Sequence, residues 1–247
     1  MKLLYGDCLN ELKNIPNNSI DLVLSDPPYG ITYCKWDSII SFDLLWNQLN
    51  RIIKDNSAIV LTASQPFTTL LINSNLKMFK YNWVWGKNCP SNIACSNYQP
   101  MRYTEDIVVF SKNKHKFNKQ MISRSESGSK VIKRHQKNKT TFKLSKSNVS
   151  SNTSTEVNPY KYDINLKNPS NLISFGVVRG KKRKHPTQKP VELMEYLIKT
   201  YTDENDLVLD FAMGSGTTGI ACKNLNRKFI GIEKNLKYFK IAEERCK

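Results

Sequence analysis

The chain has 247 residues, with 38 Lys and Arg against 21 Asp and Glu, giving a formal net charge of +17. That length suffices for one substantial α/β core with an inserted lobe. No apolar run nears the roughly 20 residues of a membrane span, and the start MKLLYGDCLNELK lacks a signal peptide's apolar stretch, so a soluble, cytoplasmic protein without a membrane partner is expected.

Taken in chain order, Ile20–Ser25 reads as a buried strand running into an Asp-Pro-Pro turn, and apolar residues at 42, 45, 46, 49, 52 and 53 predict a helix. Ser57–Thr62 is a second strand, Gln65–Asn73 a helix, Asn82–Trp85 a third strand and Asp106–Phe110 a fourth. After Ser111 the pattern is lost until about residue 175. Pro186 precedes a helix over Val191–Tyr201, the strand Asp206–Asp210 enters a glycine turn, and Thr217–Leu225 is the next helix. Phe229–Ile232 is a further strand and Leu236–Cys246 a closing helix. This alternation predicts an α/β fold in three segments, 1–111, 112–175 and 176–247, the middle one an insert. Six cysteines occur with no C-x-x-C pair and only three histidines, which favours reduced thiols and no metal site.

The positive charge is concentrated. Lys112 to Lys146 holds twelve Lys and Arg against one acid, Glu126, and Arg179 to Lys184 holds five with no acid. An excess of this kind points to a polyanion, and phosphate contact is expected from Lys130, Lys133, Arg134, Lys137 and Lys139 and from Arg179, Lys181, Lys182 and Arg183. Ser145 to Asn158 reads instead as solvated, disordered surface.

Asp210 to Gly219, DFAMGSGTTG, sits where a strand meets a helix. Glycines there let the backbone turn sharply, and the helix N-terminus offers unpaired N–H groups. Glu233 ends the next strand, placed to accept from two ribose hydroxyls, so the pair predicts a nucleoside site. Gly214-x-Gly216-x-x-Gly219 also satisfies the dinucleotide fingerprint of NAD or FAD oxidoreductases. Against that reading, the strand ends in Asp210, which suits the ammonium group of S-adenosyl-L-methionine better than a pyrophosphate, and only one further strand follows.

Asp26-Pro27-Pro28-Tyr29 follows a buried strand directly. Two prolines make the segment rigid and remove two donors, so it presents acceptors and an aromatic face. An exocyclic amine on a heteroaromatic ring is a poor nucleophile, and two acceptors on its N–H groups favour the pyramidal geometry that methylation needs. The expectation is that the Asp26 carboxylate takes one N–H, the Pro27 carbonyl takes the other, and Tyr29 stacks on a flipped base.

Together these residues resemble the amino-DNA methyltransferases, in particular the permuted β group, in which the catalytic motif precedes the cofactor motif. Tyr5-Gly6-Asp7-Cys8 is similar to the family's N-terminal cofactor motif and Asp26 to Tyr29 to its catalytic motif. His185-Pro186-Thr187-Gln188-Lys189-Pro190 is similar to the segment before the helix that cradles the cofactor's methionine part. Asn82 to Lys87 and Arg102 to Asp106 also resemble segments of its catalytic half. The resemblance implies a Rossmann-like sheet of seven mostly parallel strands with an antiparallel final hairpin. It makes 1–111 the catalytic half, 112–175 the target-recognition region and 176–247 the cofactor half. Asp7, Cys8, His185, Thr187, Lys189, Asp210, Phe211, Ala212, Gly214, Ser215, Gly216, Thr217, Thr218 and Glu233 would then bind S-adenosyl-L-methionine. Asp7 could equally be a simple helix cap and His185 an ordinary surface residue. Implied partners are double-stranded DNA, a second copy of the chain and a cognate restriction endonuclease. An aspartate opening the catalytic motif goes with adenine N6 more often than with cytosine N4. A catalytically silent DNA-binding or anti-restriction protein on the same fold is the alternative from another class.

Overall fold

A computed structural model of the chain describes residues 1–32, 34, 36–137, 142–143, 156–157 and 163–247. It has two compact units, Met1–Asn118 with Asn171–Lys247, and Lys119–Ser170.

The larger unit contains, in order, β1 (Lys2–Tyr5), α1 (Cys8–Glu11), β2 (Ile20–Ser25), α2 (Phe42–Ile52), β3 (Ile53–Ala63), α3 (Phe67–Ser74), β4 (Phe79–Gly86) and β5 (Thr104–Phe110). It continues with β6 (Leu172–Ser174), α4 (Val191–Tyr201), β7 (Leu207–Asp210), α5 (Thr217–Asn224), β8 (Lys228–Glu233) and α6 (Leu236–Cys246). The strands form one sheet in the order β1-β8-β7-β2-β3-β5-β4-β6, parallel throughout except where β5 pairs with β3 and β4.

Successive strand side chains point to opposite faces, and here both faces are covered, which is why the strands read as unbroken apolar runs. Val23, Ile59, Leu61 and Leu209 pack against Leu45, Trp46, Leu49 and Ile52 of α2 and Phe67 and Leu71 of α3. Leu22, Leu24, Val60 and Val208 pack against Leu193, Met194, Leu197 and Ile198 of α4 and Ala221 and Cys222 of α5. The first half of the chain therefore covers one face and the last segment the other. β7 pairs with β2, Val208 opposite Leu22 and Leu209 opposite Val23, so the turns after these strands emerge side by side.

Several expected bounds shift. β3 starts at Ile53 because its register with β2 slips between Ile20 and Leu22. β1 and α1 appear where the sequence showed only a motif, since four-residue elements are too short to carry a period. The sheet has eight strands, not seven: β6 pairs with the edge of β4 although it lies within the expected insert. The insert boundaries at 112 and 175 are corrected likewise. Lys116 Nζ bonds Asp203 and Asp206 at 2.8 Å each and Asn118 N donates to Thr200 O, so the chain up to Asn118 belongs with the sheet.

The smaller unit has a helix, Glu126–Lys137, which the sequence reading did not propose. It also has two short antiparallel pairs, Ile122–Ser123 with Leu166–Lys167 and Phe142–Lys143 with Glu156–Val157. Most of Ser145 to Asn158 lies outside the described residues. No described helix is long and apolar enough to cross a membrane.

Tyr201, at the end of α4, receives the buried indole N–H of Trp83 at 2.7 Å. Tyr201→Phe leaves that donor unmatched, and urea unfolding should show a loss of about 1–3 kcal/mol. An unchanged midpoint would mean that this bond adds nothing to the α4–sheet contact.

Candidate active site

A cavity of about 1010 Å³ opens along the carboxyl ends of the central strands, lined by the turns after β1, β2, β7 and β8 and by residues 177–189. Ligands of open α/β sheets gather at this edge.

Asp26 is the focus of its first end. Its Oδ1 accepts from Tyr29 Oη at 2.8 Å, from Lys189 Nζ at 2.7 Å and from Thr62 Oγ1. Among the described residues no donor reaches Oδ2, and the side chain keeps 22% of its surface exposed at the cavity. The single Tyr29 hydroxyl proton is shared between Asp26 Oδ1 and Thr62 Oγ1, the latter 2.9 Å away, and its ring stacks on Phe67 with centroids 5.1 Å apart. One face of Tyr29 is thus occupied by protein, which limits the expected stacking on a base to the other face. Burial, with Asp26 beside it, pushes the phenol well above its ordinary range, so it stays a donor. Pro27 and Pro28 line the same wall. After Gly30 the chain is held by Asp37, which accepts N–H groups from Gly30, Ile31 and Thr32.

At the other end, Glu233 accepts from Gly214 N at 3.0 Å and Asn235 N at 2.7 Å, and burial raises its carboxyl above the ordinary value despite these bonds. Asp210 is buried, accepting from Ser25 Oγ at 2.7 Å and Ala212 N at 3.1 Å on one oxygen and from Thr218 Oγ1 at 2.6 Å on the other. Burial lifts it to about 6 against those bonds. Its first task is to tie the glycine loop to β2, so the expected direct contact with an ammonium group would have to share oxygens already engaged. Asp7 caps α1 through Leu9 N at 2.9 Å, as its simpler reading had it, while still lining the cavity.

His185 is no ordinary surface histidine. Its ring lies 4.1 Å from Tyr238 and 5.0 Å from Trp36 between centroids, its Nδ1 meets Thr187 Oγ1 at 3.1 Å, and burial lowers it to about 4.

Of the other expected cofactor residues, Cys8, Thr187, Ala212, Gly214, Ser215 and Thr217 line the cavity. Cys8 and Phe211 are also core side chains. Two of these residues have other contacts. Gly216 is not in the cavity wall: with φ +79° it starts α5, and an added Cβ would stand 3.0 Å from Ala242 Cβ and Cys246 Sγ, so it serves helix packing. Lys189 bonds the acid of the catalytic turn rather than the glycine loop.

The sequence reading gave no role to Thr62, Lys87, Glu105, Trp36, Asp37 or Tyr238. Lys87 and Glu105 sat in segments noted only for resemblance, and the others carry no local pattern. Their contacts arise only in the fold.

The basic residues separate. Arg179 and Arg183 are exposed and line the cavity, and Lys181 is exposed beside them. Lys130, Lys133 and Arg134 are exposed on the helix of the smaller unit. The side chains of Lys137 and Lys182, and all of Lys139, lie outside the described residues. Lys112 and Lys116, counted with the basic run, are committed to Asp55 and to Asp203 and Asp206.

A carboxylate-walled nucleoside groove adjoining an acid-centred pocket, at one edge of a doubly covered α/β sheet, defines the Rossmann-like methyltransferase class. The N6/N4 DNA methylase family model matches residues 20–244. The type II methyltransferase M.HpaI of Haemophilus parainfluenzae is 30% identical over 259 residues, covering 99% of this chain and 73% of that one. The DNA adenine methyltransferase YhdJ of Escherichia coli (strain K12) is 29% identical over 260 residues, covering 98% and 81%. The crystal structure of the M1.HpyAVI-SAM complex matches with a TM-score of 0.63 and 27% identity, covering 99% of this chain and 98% of that one. The chain belongs to the DNA methylase family and is an S-adenosylmethionine-dependent DNA methyltransferase. The dinucleotide oxidoreductase alternative is thereby overturned.

The environment of His185 predicts a neutral imidazole down to about pH 4, against 6.5 for a free one. Because its folded value is depressed, its contribution to stability is complete above about 6.5 and is lost as pH falls toward 4. Nitrogen-15 chemical shifts of the imidazole should give a midpoint near 4; a midpoint near 6.5 would place the ring in solvent.

Proposed function

We propose that the protein methylates the exocyclic N6 of adenine in DNA, with the base flipped into the pocket of Asp26, Pro27, Pro28 and Tyr29. The observation that carries this is the asymmetry of Asp26: one carboxylate oxygen is approached by three donors and the other, among the described residues, by none. That free oxygen suits one amine N–H, and the rigid Pro27 carbonyl suits the second. Drawing both N–H groups to acceptors weakens conjugation of the nitrogen lone pair with the ring. In a duplex the amine is inaccessible, so the nucleotide leaves the stack, and contact with the aromatic wall that Tyr29 gives the cavity offsets part of that cost.

The residues fit S-adenosylmethionine. The buried carboxylate of Glu233 forms part of the wall, with lone pairs left for ribose hydroxyls beyond those used by Gly214 and Asn235. Gly214, with φ +52°, brings its backbone to the cavity beside the neutral ring of His185. When bound, the cofactor supplies an electrophilic methyl group. The chain's own contribution is to hold the amine in line and to exclude water.

Adenine is supported by the aspartate opening the motif and by the likeness to an enzyme named as a DNA adenine methyltransferase. Cytosine N4 is the alternative, since the family model spans both amines. Likeness to type II methyltransferases supports a restriction-modification role beside a cognate endonuclease. A silent DNA-binding protein would have no need of an intact acid with an open oxygen.

The test is transfer of tritiated methyl groups to DNA, followed by digestion to nucleosides. N6-methyladenine should carry the label, and Asp26→Ala should lower incorporation by at least about 100-fold. Label in N4-methylcytosine would overturn the base assignment, and undiminished transfer by the variant would overturn the role of Asp26.

For DNA contact, Lys130, Lys133 and Arg134 are proposed to meet phosphates, as are Arg179, Lys181 and Arg183. Changing the first three to Gln should reduce the slope of log affinity against log salt by about 2–3, leaving S-adenosylhomocysteine binding intact. An unaltered slope would make them mere solvated surface.

A further inference from the structure

Behind Asp26 lies a line of alternating charge that neither the cofactor groove nor the base pocket requires. Lys189 Nζ stands 2.7 Å from Asp26 Oδ1 and 3.5 Å from Glu105 Oε2. Glu105 Oε1 in turn holds Lys87 Nζ at 2.9 Å. The side chains of Lys189 and Lys87 are only 6% and 3% exposed. Charges this deep are costly unless each is matched, and here each lysine meets a carboxylate. Among the described residues Glu105 Oε2 has no hydrogen-bond partner at ordinary distance, and Lys189 Nζ stands 3.5 Å from it.

We propose that Lys189, braced by Glu105, is the positioning residue of the catalytic carboxylate: it clamps Asp26 Oδ1 so that Oδ2 alone faces the amine. The proposal rests on the reading of Asp26 as the amine's acceptor. A free carboxylate rotates about its Cβ–Cγ bond and offers either oxygen. Thr62 and Tyr29 supply neutral donors to Oδ1, while Lys189 supplies the only charged one among the described residues, from 163 residues away in the chain. A lysine side chain is long and rotamer-rich, so a clamp of this type needs a second anchor, and Glu105 sits on the opposite side to provide it. Burial by itself would drive the Lys189 ammonium toward neutrality, but Asp26 and Glu105 outweigh it and raise its pKa, so the clamp stays charged. The same segment carries His185 beside the glycine loop, so one short stretch of chain borders the cofactor groove and fixes the acid.

Single-turnover methylation by Lys189→Met, Glu105→Gln and Asp26→Asn tests this, alongside calorimetric binding of S-adenosylhomocysteine. Lys189→Met should slow methyl transfer by about 100-fold, and Glu105→Gln by about tenfold, as expected of a misplaced reacting group. Affinity for S-adenosylhomocysteine should stay within about twofold in both, a split that a general loss of structure would not produce. Loss of that affinity in step with the rate would make Lys189 a cofactor ligand and overturn the proposal. So would a wild-type rate in Lys189→Met where Asp26→Asn is inactive. A fully active Asp26→Asn would instead sink the underlying reading of Asp26. Should Lys189→Met fail to fold, Glu105→Gln decides: a slower rate with intact binding supports the clamp, and an unchanged rate refutes it.

Discussion

The pairing of β2 with β7 is the constraint on which the rest of the structure depends. These strands lie 185 residues apart where Ser25 meets Asp210, yet they are neighbours in the sheet, and their ends are locked by a 2.7 Å hydrogen bond. Each strand runs into a turn that cannot continue the ladder: prolines follow Asp26, and glycines follow Asp210. Because the strands are parallel and in step, both turns open on the same edge. The Asp26 turn and the glycine loop are side by side for that reason, whichever half comes first in the chain.

Polar groups buried at this edge are arranged in two ways. Asp210 spends its hydrogen-bonding capacity on protein, accepting from Ser25, Thr218 and Ala212, and so acts as a bracket for the glycine loop. Asp26 is bonded through one oxygen among the described residues, and its side chain stays 22% exposed at the cavity, which leaves the second oxygen accessible to a ligand. Glu233 lies between these extremes, bonded to two backbone N–H groups while keeping acceptor capacity.

The fold was legible in the sequence wherever burial imposes a period. β2 and α4 end where their apolar patterns end, because each is packed along its length, and α6 follows the stripe that buries Ala242 and Cys246. β1 and β6 were missed as elements, being too short for any period to show, while α1 was legible only through its cap, Asp7. The turns at Asp26 and Asp210 were legible because proline and glycine act locally. Thr62, Lys87 and Glu105 were not, since nothing in the local sequence says that Thr62 meets Asp26 or that Glu105 meets Lys87 and Lys189. Lys189 was visible, but its bond to Asp26 was not, since a long side chain can reach across the cavity that it lines with His185 and Thr187. Gly216 has a spacing that fits a ligand loop, while its positive φ and its contact with α6 serve packing.

The account stands or falls on which Asp26 oxygen meets the substrate. The most direct measurement is a crystal structure with S-adenosylhomocysteine and a duplex bearing the methylated site. It should show the exocyclic amine within hydrogen-bonding distance of Oδ2 and of the Pro27 carbonyl, with Oδ1 still held by Thr62, Tyr29 and Lys189. An amine bonded to Oδ1, or a base seated away from Asp26, would contradict it.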